Sequence, residues 1–150
     1  MRLLAGLILM LSSVPAMAQT SDQTVIRACD KVEQEYGSWA LDFRRLLERN
    51  STDRGGRVDQ SLITDFNFAL VSARDFVHDN IVYVQRARLV GGEPKVADCR
   101  HVTAMARTQI EQYARALLSE VQPSDRWGRE SLRSEFRMGL RESTSEFRGY

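Results

Sequence analysis

Only two histidines occur in this 150-residue chain, and each stands three residues after an aspartate, in Asp75-Phe76-Val77-His78 and Asp98-Cys99-Arg100-His101. A carboxylate and an imidazole at i and i+3 share one helix face, and bundles that hold two metal ions use such pairs on facing helices. Those bundles place glutamate in the pair and need two further carboxylates turned inward. Here the pairs carry aspartate, and Glu33, Glu35, Glu135 and Glu142 all fall off the apolar seams. Counted outward from the Gly91–Glu93 turn, His78 and His101 stand about five residues out of level, about 7 Å along a helix. His101 and Met105, at i and i+4, offer a nitrogen and a thioether, a pairing that suits copper or haem iron. No C-x-x-C-H motif for covalent haem attachment accompanies them. A metal- or haem-binding bundle using His78, His101 and Met105 is thus the alternative reading, and no cofactor is expected.

Nucleophilic chemistry finds no better footing. The thiol inventory is Cys29 and Cys99 alone. Paired in a disulfide, neither can supply a thiolate. No G-x-S-x-G elbow, H-E-x-x-H helix or glycine-rich phosphate loop occurs. The carboxylates read as solvated helix faces and caps, balanced by arginine. The expectation is a protein without catalytic activity.

The compartment is written at the start of the chain. Met1-Arg2 carries one positive charge, the apolar run Leu3 to Leu11 follows, and Ala16-Met17-Ala18 ends the segment in A-x-A form. These are the three regions of a cleaved secretory signal peptide, expected at residues 1–18. The apolar run is about half the roughly 20 residues that cross a bilayer, so it is not expected to anchor the chain. One domain, residues 19–150, should remain, soluble in the periplasm or outside the cell. Loss of Arg2 leaves 20 basic against 20 acidic residues. A balanced charge provides no footprint for nucleic acid, and no membrane span is expected. In an oxidising compartment an even cysteine pair reads as a disulfide, here Cys29–Cys99. Two buried free thiols are the other reading.

Heptad spacing supplies the elements. Val25, Cys29, Val32, Tyr36, Trp39, Phe43 and Leu46 recur at steps of four and three, predicting a helix from about Asp22 to Arg49, with Thr20 and Gln23 as a capping box. A second helix is predicted over about Gln60 to Leu89, on Ile63, Phe66, Leu70, Ala73, Val77, Asn80, Val84 and Ala87. Further apolar residues off this seam, Phe76 and Ile81 among them, make it the most buried. Asn80 is its one polar seam residue and is assigned the role of fixing register; a buried water or ligand is the other use for it. After the Gly91-Gly92-Glu93-Pro94 stop, a third helix is predicted over about Lys95 to Val121, on Val96, Cys99, Thr103, Ala106, Ile110, Tyr113 and Leu117. A weaker fourth, about Trp127 to Phe147, follows a cap at Ser124-Asp125 and carries Leu132, Phe136, Leu140 and Phe147. The fold class is all-α: an antiparallel up-down bundle of three long helices plus a weaker C-terminal fourth. Short connections make successive helices antiparallel, so helices one and three run the same way. Cys29 and Cys99 then lie at one height near their starts, and the disulfide joins helices one and three.

A bundle without chemistry works through its surface. The fourth segment groups Trp127, Phe136 and Phe147 with Arg137 and Arg141, residue types enriched at binding hot spots. Two arrangements remain for it: a stripe that closes the bundle, its arginines paired with neighbouring glutamates, or an element that docks into a partner. The functional expectation is non-catalytic binding of another protein, of inhibitor, immunity, chaperone or secretion-accessory type. The sequence sets neither the partner's identity nor an oligomeric state.

Overall fold

The computed structural model describes residues 17–50, 59–86, 95–119 and 125–148, with side chains from residue 23 onward. Residues 1–16, nearly all of the expected export leader, lie outside them, as does Ala87. Four helices make up almost all of what is described: α1 (Met17–Asn50), α2 (Gln60–Arg86), α3 (Val96–Ser119) and α4 (Arg126–Arg148). None is long and apolar enough to cross a membrane.

An aspartate caps the first turn of each helix after the first, from just before the helix in α2 and α4 and from its third residue in α3. Asp59 Oδ1 accepts hydrogen bonds from the Ser61 amide (2.9 Å), the Ser61 hydroxyl (2.6 Å) and the Leu62 amide (3.2 Å), so it satisfies N–H groups that the first turn of α2 leaves open. Asp98 Oδ2 accepts from the Lys95 amide at the start of α3, and Asp125 Oδ1 from the Gly128 amide at the start of α4. α1 begins at Met17 rather than near Asp22, which places Thr20 inside the helix and not at its start.

The seams bury what their spacing predicts, with one drift. On α3, Cys99, Thr103, Ala106, Ile110, Tyr113 and Leu117 are buried. On α2 the buried set runs from Leu62 to Val84 and is the largest of the described helices. On α1 the core takes Cys29, Val32 and Tyr36, then Leu47, while Leu46 is exposed. An α-helix advances 3.6 residues per turn, so a strict seven-residue repeat falls behind by about 20° per heptad. After three heptads Leu46 has rotated out and Leu47 has come closer to the inward direction.

The helices alternate in direction but do not form a closed square. α2 and α3 pack on each other, and each also packs on both α1 and α4. Among the described residues α1 and α4 do not pack together. In cross-section the bundle is two triangles sharing the α2–α3 edge. α4 closes one side of that edge with Phe136 and Leu140, and α1 closes the other. The parallel run of α1 and α3 brings Cys29 and Cys99 together as a disulfide, with Cα atoms 5.6 Å apart and both residues fully buried.

The disulfide spans 70 residues of sequence, and closing a loop of that size removes about 4 kcal/mol of unfolded-state entropy. Replacing both cysteines by alanine should lower the unfolding free energy by about that amount in urea titrations. A loss under 1 kcal/mol would contradict it.

The Asp59 cap adds a pH dependence. Its hydrogen bond from the Ser61 hydroxyl, the largest effect, holds its carboxyl below the usual aspartate range; burial opposes it, and the Leu62 and Ser61 amides and the Arg129 charge add to it. A carboxyl whose folded-state pKa is depressed contributes stability that is complete above its unfolded value, about 3.9, and is lost as pH falls through the lower folded value. Asp59→Ala should therefore cost about 1 kcal/mol at pH 7. That difference from the parent should shrink on acidification below pH 4, read by thermal unfolding at both pH values.

Candidate functional site

α4 carries the residues that the sequence nominated for a partner, and the fold employs most of them internally. Phe136 is only 4 % exposed. Its ring centroid lies 5.0 Å from that of Tyr113 and 6.3 Å from that of Phe68. It is a core residue, which corrects its nomination as a contact for a partner. Phe147 is half-buried, with rings of Tyr83 and His101 each 6.3 Å away. Arg137 is exposed but lies over the Phe68 ring at 4.7 Å. Arg141 is exposed beside Asn80 and Arg148. Trp127, 86 % exposed, stands alone of the nominated aromatics on the open surface.

Two polar ties hold α4 to α2. Asp65 is fully buried, and Arg133 reaches it with both Nε (2.7 Å) and Nη2, while Arg129 Nε stands 3.6 Å from its second oxygen. Tyr113 adjoins this group. Burial raises its phenol above the ordinary tyrosine range, the Asp65 carboxylate adds to the effect, and Arg133 opposes it. Further along, Arg148 Nε donates to Asn80 Oδ1 (3.0 Å), Asn80 Nδ2 donates to the Phe76 carbonyl (2.8 Å), and the Arg148 guanidinium lies over Tyr83 at 4.7 Å. Both ties link residues 68 apart in sequence. Phe68 and Phe136 share that offset, as parallel helices of equal rise require. The polar partner of Asn80 is thus a side chain of this chain, Arg148. The expectation that acidic residues line only solvated faces and caps is corrected at Asp65, and the α4 arginines look to α2 as well as to neighbours such as Glu130.

The histidines are kept apart by the helices they sit on. His78 Nδ1 lies 3.0 Å from Glu33 Oε1 across the α1–α2 contact, and both side chains are open to solvent. His101 is exposed beside Phe147, and Met105 is partly buried against the core. Among the described residues no three of His, Cys, Asp and Glu converge as metal ligands would.

Among the described residues a sizeable recess lies elsewhere. Between α1 and α2, on the side away from α3 and α4, runs an open groove of about 700 Å³. Tyr36, Ala40, Leu70 and Val77 form its floor, and Leu41 and Val71, 57 % and 59 % exposed, form its apolar rims. Gly37 lies on the α1 wall, where an added Cβ would meet nothing within 4 Å. A glycine inside a helix costs about 0.5–1 kcal/mol relative to alanine, and here no crowding within the chain requires it. Asp30 and Glu33 lie at one end of the groove, braced to α2 by Gln85 (2.8 Å) and His78. Arg44 stands at the other end and Arg74 on the α2 rim. Arg74 makes no hydrogen bond or ion pair with any described residue. Burial raises the Tyr36 phenol above its usual range, with the Arg107 guanidinium opposing.

Sequence reasoning missed this groove because it followed the inward seams. The available signal was the residues off the seams: Leu41 and Val71 on adjacent helices, and a glycine in the middle of a strong helical pattern. No family model, curated protein or solved structure matches the chain.

The buried ion pair yields a stability prediction. Removing one member of such a pair leaves the other charge uncompensated, which costs roughly 3–5 kcal/mol when both are buried. Arg133 and Arg129 retain some access to solvent, so Asp65→Ala should cost about 3 kcal/mol, the lower end of that range. Arg133→Ala should cost at least as much, since it leaves the fully buried carboxylate with Arg129 alone, at 3.6 Å. Urea unfolding of the two variants tests the order, and an Asp65→Ala loss under 1 kcal/mol would refute the assignment.

Proposed function

We propose that this protein is exported and acts without catalysis by binding another protein, with the α1–α2 groove as its docking face. The observation that carries the reading is the pair of half-open apolar rims at Leu41 and Val71 over an apolar floor. Clusters of exposed aliphatic side chains rimmed by charge mark interaction sites on small domains. The apolar side chains of α4 are largely consumed in closing the core, which moves the candidate face from α4 to α1 and α2. Support for an oxidising compartment comes from the leader-like residues 1–18 together with the buried Cys29–Cys99 disulfide. Inhibitor, immunity, chaperone and secretion-accessory roles all share this mode of action.

Site-specific photo-crosslinking in the source cells tests both the mode and the place. A photoreactive residue at position 41 or 71 should give a discrete protein adduct outside the cytoplasm, on a chain whose mass begins at Gln19. Adducts only from position 127 would move the site to the start of α4. An absence of adducts at all three positions would overturn the reading.

A further inference from the structure

The packing of the bundle singles out the shape of what the groove receives. Helices here fill the furrows between pairs of neighbours: α3 lies against both α1 and α2, and α4 against both α2 and α3. The outer furrow between α1 and α3 is crossed by Arg107, whose guanidinium lies 5.0 Å over the Trp39 ring. Among the described residues the outer furrow between α1 and α2 has no such cover, and it carries the groove. Its walls repeat at helical steps, with Gly37, Leu41 and Arg44 on α1 and Asn67, Val71 and Arg74 on α2. Side chains three and four apart form the ridges and grooves into which another helix packs. Gly37 removes a side chain where a guest backbone would approach. From Asp30 to Arg44 the groove runs about 21 Å, the length of about four helical turns.

Charge fixes the guest further. Carboxylates stand at one pole, Asp30 and Glu33; Arg44, which also pairs with Glu48 (2.8 Å), stands at the other, and Arg74 lies between them, about level with Gly37. A helix is itself stabilised by acidic side chains in its first turn and basic ones in its last. A guest with that pattern satisfies its own dipole and both poles together if its first turn lies by Arg44 and its last by Asp30. Resting on the protein-binding reading above, we infer that the α1–α2 groove receives a four-turn amphipathic helix of a partner protein, acidic at its start and basic at its end, running antiparallel to α1.

Selection from a displayed library of 16-residue peptides against the oxidised protein, residues 19–150, tests this. The selected peptides should be helical when bound, carry aliphatic residues at i, i+3, i+4 and i+7, and begin acidic and end basic. Val71→Glu, at an exposed position, should weaken them at least tenfold while circular dichroism and Tm hold. Arg44→Glu with Arg74→Glu should weaken acidic-first peptides about tenfold and favour basic-first ones. Gly37→Ala should raise Tm by about 2–4 °C, as expected for a gain of up to about 1 kcal/mol, yet weaken the same peptides several-fold. Extended or proline-rich winners, or indifference to Val71→Glu, would overturn the inference. So would a dimer of this chain that Val71→Glu dissociates, or occupancy by a fatty acid in place of any peptide. Crosslinks from position 41 alongside extended winners would retain the protein-binding reading and reject the helix. Failure of both experiments would reject the two together.

Discussion

The apolar contact between α2 and α3 supports every other packing decision in the molecule, because α1 and α4 each lie across that pair and not on one another. Val77, Ile81, Val102, Ala106, Ile110 and Leu117 are all but fully buried, and burial of side chains this size supplies most of a small domain's stability. Once the central pair is formed, each outer helix needs only enough contact to choose one side of it and one height along it. Different chemistry makes that choice on the two sides. α1 is set by a covalent bond at Cys29 and by Tyr36 and Leu47 further along. α4 brings few buried apolar residues, chiefly Phe136 and Leu140, and is set by the carboxylate of Asp65 and the amide of Asn80.

Polar ties suit α4 because apolar contact is tolerant of sliding and hydrogen bonds are not. A helix moved by one turn along an aliphatic seam can still bury comparable area. The same shift would take Arg133 about 5 Å from Asp65 and Arg148 equally far from Asn80. A buried carboxylate without its partner is strongly unfavourable, so the alternative heights are disfavoured by much more than the correct one is favoured. Gly139 faces the same interface, where a Cβ would displace the flexible end of the Gln109 side chain of α3.

Much of the architecture was legible in the chain because its signals are local and periodic. Helix number, direction, the most buried element and the Cys29–Cys99 pairing follow from heptad spacing and two short breaks. The α1 seam was read correctly from Val25 to Phe43 and failed at Leu46, where the accumulated lag between a 3.5 and a 3.6 repeat exceeds half a residue. The polar ties were not legible. Asp65 adjoins Phe66 on the seam, but nothing local tells a buried aspartate from a solvated one. Its partner lies 68 residues away, beyond any helical period. Asn80 was recognised as exceptional only because it interrupts an apolar stripe, and its partner, Arg148, was not. The groove went unread for a related reason: Leu41 and Val71 are unremarkable alone, and they form a feature only when α1 and α2 lie side by side.

The separation of α1 from α4 bears on how such a protein changes over generations. Substitutions at sites that share no partners combine additively, whereas those in one contact network interfere with each other. Gly37, Leu41 and Arg44 lie on the outer helix that, among the described residues, does not pack on α4, so exchanges there leave the Asp65 and Asn80 networks as they were. Variation on the outer face of α1 can then be sampled one residue at a time, with each step judged on its own effect. The triangular cross-section thereby divides the molecule into a side that can diversify and a side that must stay fixed.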